Sequence, residues 1–145
     1  ELRASGNGAR APRFVIWGGE TTVTLHAPSS GSKRKTATPA PAPPGGRCQE
    51  LALAAARVLN EAGERARGIS LLAAGTDGRD GPTDAAGACV SGATWSAIRA
   101  TGCDPQDALS THQSYSALQA IDALFKPGPT GTNVMDIVIG VVDSE

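Results

Sequence analysis

Aromatic side chains are scarce in this sequence, 3% of 145 residues, and there is a single Met. That excludes a core of two sheets packed on aromatic anchors. With 25 Ala in the chain, the core must rest on Ala, Val, Leu and Ile. Long apolar runs are missing too. No stretch approaches the roughly 18 apolar residues of a membrane span, so no membrane partner is expected. There is no basic excess: the formal net charge is −1, which argues against a nucleic-acid binder. The three cysteines (Cys48, Cys89, Cys103) form no C-x-x-C, so reduced thiols are expected rather than a disulfide scaffold or a zinc site. No charged-then-apolar leader precedes a cleavage site in this sequence, and a cytoplasmic or organellar location is expected. The chain begins at Glu1 rather than Met, which leads to the expectation of a piece of something longer.

What is present suits one globular domain, 40% apolar and 19% charged. Charge is uneven: residues 1–67 balance at +5 and residues 68–145 at −6, an acidic half that could hold Mg²⁺. The run Phe14–Trp17 ending in Gly18-Gly19 predicts a buried strand, and the β-branched Thr21–Leu25 a second strand in an antiparallel hairpin. Residues 27–44 hold five of the ten prolines and the triplet Lys33-Arg34-Lys35, the composition of a solvated surface insertion. Arg47–Gly63 predicts an amphipathic helix with Leu51, Ala55, Val58 and Leu59 on one face, stopped by Gly63. Ile69–Ala74 reads as an interior strand. Pro82 suits a first helical position, and a long small-residue helix is expected over Thr83–Ala100. Short helices are expected after Asp104-Pro105 and over Ser114–Leu124, and a central strand over Val134–Val142. The alternation predicts a layered α/β domain with a mixed β-sheet flanked by helices.

Chemistry-bearing residues gather where predicted strands give way to other elements. Gly75–Asp84 carries Asp77, Asp80 and Asp84 on a glycine-rich turn after a strand, where ligands collect in open α/β sheets. Such carboxylates suit a hard cation such as Mg²⁺, though ordinary helix capping explains the same pattern. Lys126–Asn133 has the glycines and threonines of a phosphate cradle, yet it leads into a strand and lacks the Gly-Lys-Ser/Thr ending of a P-loop. Gly45-Gly46-Arg47 opens a helix, where anions are stabilised and an Arg adds a forked contact. Cys48 at that helix start is either packing or a thiol of lowered pKa. His112 and Ser114 lie too close in sequence for a serine triad, and no G-x-S-x-G elbow exists.

Taken in order, GGETTVT, GGRCQELALAAA, GTDGRDGPTDAAGA, QSY and GPTGTNVMDI resemble the carboxyl-terminal (MOFRL) domain of the glycerate 2-kinase family from about Phe14 onward. The resemblance implies a two-domain enzyme that transfers the γ-phosphate of ATP to D-glycerate with Mg²⁺. Its active site would lie in a cleft shared with an amino-terminal Rossmann-like domain that carries a lysine and is absent from this chain. It implies catalytic roles for Arg47, on an anionic oxygen, and Asp77. Substrate or nucleotide contacts are implied for Gly18, Gly19, Glu20, Thr21, Gly46, Gln49, Glu50, Asp80, Gly81, Thr83, Asp84, Thr130, Gly131, Thr132 and Asn133, with Asp77 and Asp80 also as metal ligands. Cys48, His112-Gln113 and Pro127 depart from the family's usual G-G-R-N-Q-E, N-D-S-Y and T-G-P-T-G-T-N. A domain that kept the fold for binding alone, or a hydroxypyruvate reductase, are the alternative readings. The absence of G-x-G-x-x-G speaks against the latter. Self-association is left open.

Overall fold

The computed structural model describes residues 11–24 and 45–143. The proline-rich segment 27–44, with Lys33-Arg34-Lys35, lies outside them. The elements in chain order are β1 (Arg13–Gly19), α1 (Arg47–Ala62), β2 (Ile69–Gly75), β3 (Gly87–Ser91), α2 (Thr94–Ala100), α3 (Pro105–Ser110), α4 (Ser114–Gln119), β4 (Leu124–Phe125) and β5 (Asp136–Val142). Five strands form one sheet in the order β1-β5-β2-β3-β4, and every neighbouring pair is antiparallel. The sheet is therefore not mixed. The α1 crossover does make β1 and β2 run the same way, but β5 inserts between them, so no parallel ladder forms.

Local signals succeed where a side chain or backbone feature ends an element. Gly63 closes α1 with φ 55°, the left-handed region that glycine enters without strain. The carboxylate of Asp104 accepts from the Gln106 amide at 2.9 Å with Pro105 at the first helical position, and α3 starts there. β2 and β5 occupy interior positions, as their apolar runs predict.

Expectations for the bounds and burial of single elements are corrected as well. Residues 21–24 carry no strand (Leu25 lies outside the described residues), and β1 pairs with β5 instead of a hairpin partner. Phe14–Trp17 is not buried, since β1 is an edge strand exposed along its whole length. Thr83–Ala100 is not one helix but a loop, β3 and α2. Its small residues reflect close packing rather than helix preference, because α1 lies directly on β2 and β3 and leaves Ala73 and Ala88 with no exposed surface. Finally, α4 ends at Gln119, and Leu124-Phe125 crosses back to pair with Gly87-Ala88.

The core lies between one face of the sheet and the helices. It joins Cys48, Ala52, Leu53 and Ala56 of α1 to Trp95 and Ile98 of α2, Ala108 of α3, Ala117 and Leu118 of α4, and Ala73, Ala88 and Val90 of the sheet. The buried stripe of α1 is thus rotated from the expected one. Leu51 and Ala55 are its margin, and Val58 points to solvent at 58% exposure. Among the described residues no helix is long and apolar enough to cross a membrane.

Candidate functional site

The C-terminal ends of β1 and β2, the N-terminal end of β5 and the first turn of α1 meet at one end of the sheet, as the pairing of both Gly19 and Gly75 with Asp136 requires. Arg47, the first residue of α1, projects across this end. Its Nε donates to Asp136 at 2.6 Å and its Nη2 at 2.9 Å, a two-pronged pair with a carboxylate only 5% exposed. A third nitrogen, Nη1, lies 3.1 Å from Glu20, the residue after β1. The hydrogen bond to Asp136 raises the guanidinium pKa above its usual value, so Arg47 stays cationic at any accessible pH. Its side chain is 39% exposed, so a ligand can still reach it.

Asp80 has a different occupation. Its two oxygens accept from the Cys48 amide at 3.1 Å and the Gln49 amide at 2.8 Å, so this carboxylate caps α1 from a distant loop. Burial pushes the Asp80 carboxyl up, against the pull of those two amides. Gln49, itself fully buried, donates from Nε2 to the Thr83 hydroxyl at 2.8 Å, and that hydroxyl donates to the Asp80 carbonyl at 2.8 Å. A Cβ on Gly46 would overlap the Asp80 carboxyl, which accounts for the glycine at the helix entrance. Cys48 is buried beneath this cap. Burial, then the charges of Asp80 and Asp136, push its thiol up rather than down, so it packs and does not react.

Asp77 is the more open carboxylate of the loop. One oxygen accepts from the Arg79 amide at 3.0 Å, and Asn133 Nδ2 donates to the other at 3.5 Å. The loop 126–133 lies against this turn. Gly78, at φ 89°, approaches the Gly128 carbonyl so closely that no side chain fits. The Thr130 hydroxyl donates to the Thr76 carbonyl, the Thr132 amide donates to the Thr130 hydroxyl at 3.4 Å, and Asn133 Oδ1 accepts from the Met135 amide at 3.1 Å. Gly131, at φ 75°, shapes the same loop.

A polar depression of about 260 Å³ collects Arg47, Asp77, Arg79, Asp80, Gly81, Asn133, Met135 and Asp136. Several predicted residues do not join it. Gly18 and Gly19 lie within β1 with open space around them, and Thr21 follows the strand. Glu50 pairs with His112 Nδ1 at 2.9 Å. Asp84 faces another side, accepting from the Tyr115 hydroxyl at 2.8 Å and from Lys126 Nζ at 3.1 Å. Sequence reading missed Arg79 and Asp136. Asp136 stood in view as the carboxylate opening an apolar strand, but nothing local shows that Arg47, 89 residues away, would clasp it.

Two guanidiniums against three carboxylates leave the depression without the positive balance that a free anion requires. Among the described residues no group of three or more His, Cys, Asp or Glu side chains could hold a metal ion. The sequence pattern of the MOFRL family matches residues 13–136. The chain belongs to the MOFRL family. It is 43% identical over 142 residues to a D-glycerate 2-kinase of Thermotoga maritima, covering 98% of this chain and 30% of that protein. It is 39% identical over 145 residues to a glycerate 2-kinase of Pyrococcus horikoshii, covering all of this chain and 29% of that protein. A crystal structure of glycerate kinase from Thermotoga maritima superposes with a TM-score of 0.73 at 44% identity, over 89% of this chain and 27% of the other. This MOFRL chain thus spans under a third of the relatives it matches, and corresponds to their carboxyl-terminal part.

Proposed function

We propose that this MOFRL domain forms one wall of a glycerate 2-kinase active site, transferring the γ-phosphate of ATP to D-glycerate in a cleft completed by an amino-terminal Rossmann-like domain. The observation that carries the reading is Arg47, fixed by buried Asp136 with its guanidinium open to the depression. Phosphoryl transfer needs little covalent help from the protein. It needs oriented groups and neutralised charge. With Nε and Nη2 on Asp136 and Nη1 beside Glu20, Arg47 would offer its remaining Nη hydrogens to a glycerate carboxylate or a phosphate oxygen, and Asp136 would keep it from swinging away. Asn133 and the backbone of the 130–132 loop would line the cleft.

The donor set admits Mg²⁺ only through one carboxylate. Asp80 is committed to the α1 amides and Asp136 to Arg47, which leaves Asp77, with phosphate oxygens and water completing the ion's shell. Bound there, the ion would neutralise phosphate charge. The lack of a positive balance in the depression supports a further cation from the amino-terminal domain. The direct test is Arg47→Ala in the full-length polypeptide. Losing a charge-assisted contact of about 1.5–3 kcal/mol should lower kcat/KM for glycerate phosphorylation by about 10- to 100-fold. Unchanged kcat/KM would refute the assignment.

A further inference from the structure

Only one face of the sheet is covered by helices. Side chains alternate along a strand and directly paired residues share a face, so the registers assign each one. Leu71, Ala73, Ala88, Val90 and Val138 fall on the face that meets all four helices in the core. On the opposite face, Ile16, Ile139, Leu72 and Cys89 stand in one straight row across β1, β5, β2 and β3. Phe14 and Val141 flank the row on one side, where Ser70 and Ser91 follow, and Ile137 flanks it on the other, next to Ala74, which is buried. Three strand spacings make this row about 14 Å long. Phe14 and Ile16 are 63% and 64% exposed on this face, Val15 and Trp17 of the same edge strand are exposed on the other, and at the far end of the row Cys89 is exposed too. A contiguous apolar surface of this kind marks a contact surface rather than chance exposure.

We propose that this face seats the polypeptide that precedes β1 in the full-length protein, turning a two-layer domain into three layers. The inference rests on the reading of the chain as the carboxyl-terminal part of a longer kinase. Two observations select this occupant. The matched relatives are more than three times as long, and this chain is their carboxyl-terminal part, so most of their length lies before β1. The incoming chain also enters through β1, the edge strand that carries Phe14 and Ile16, and so arrives at the rim of the row. A tethered segment acts at millimolar effective concentration, which a free second copy rarely matches.

Cys89 is a built-in reporter at the far end of the row. Its alkylation by N-ethylmaleimide would be followed by peptide mass mapping in the native full-length polypeptide and again after unfolding in urea. The proposal expects native labelling to be slower by about 100-fold or more, limited by local opening. Ile16→Asp should restore labelling of Cys89 while Cys48, in the core, stays protected and shows the fold intact. Native labelling of Cys89 at the unfolded rate would overturn the proposal, as would protection lost on dilution, which would assign the face to a second copy. Glycerate phosphorylation measured on the same preparation separates the two readings. Activity with Cys89 unprotected would end this inference alone, and protected Cys89 without activity would end the kinase reading alone.

Discussion

The two halves of the sheet are both apolar and meet opposite fates: β2 and β3 lie under α1, and the edge strand β1 stands open on both faces. On one, small side chains let α1 lie directly on β2 and β3, and Leu53, Ala73 and Ala88 lose all exposure. On the other, larger side chains such as Phe14 and Ile16 stand in solvent among the described residues. Apolar character alone therefore did not decide which residues became core. Close approach of the helices did, and that required the residues beneath them to be small.

The sharpest way to break this contrast is on the helix side. Leu53→Ala removes a fully buried side chain from the centre of the core and should cost about 2–5 kcal/mol in urea denaturation. A loss below about 1 kcal/mol would mean that α1 does not organise the covered face.

Gly46→Ala tests the polar half of the same attachment. A methyl there meets the Asp80 carboxyl, so the cap on the Cys48 and Gln49 amides must loosen. The expected loss is about 1–2 kcal/mol, the range for a lost cap. Asp80→Ala should lower stability by a similar amount, and in the double variant the two losses should not add.

Ile16→Ala on the open face should change the stability of this chain by no more than about 0.5 kcal/mol, as for surface positions. In the full-length polypeptide the proposal above expects a larger loss, so comparing the two proteins sharpens the contrast.

The smallest effect belongs to the exposed trio of Asp84, Tyr115 and Lys126. The Tyr115 hydroxyl first, then Lys126, hold the Asp84 carboxyl below its usual value. A depressed carboxyl contributes stability that is present above the unfolded value and disappears as pH falls through the folded one. Solvent screening keeps that contribution small. Asp84→Asn should leave neutral-pH stability almost unchanged and flatten the acid limb below pH ~4. An acid limb as steep as in the parent chain would remove Asp84 from that role.

Residue order was enough for the elements whose start or stop is chemical and local: α1 up to Gly63, the entry to α3 at Asp104-Pro105, and the apolar strands β2 and β5. It also carried the family, because Arg47, Asp77 and Asn133 sit in motifs that can be read one after another. Tertiary structure alone decided that Ala88 lies in a strand, that β5 separates β1 from β2, and that β1 is an open edge. It also divided the acidic loop. Asp80 became a cap because a helix end 31 residues away needed its oxygens, while Asp77, three residues earlier, stayed half-buried in the lining of the depression. Hydrogen bonds and close packing between distant segments settle such choices, and no local pattern of residue types records which segments will meet.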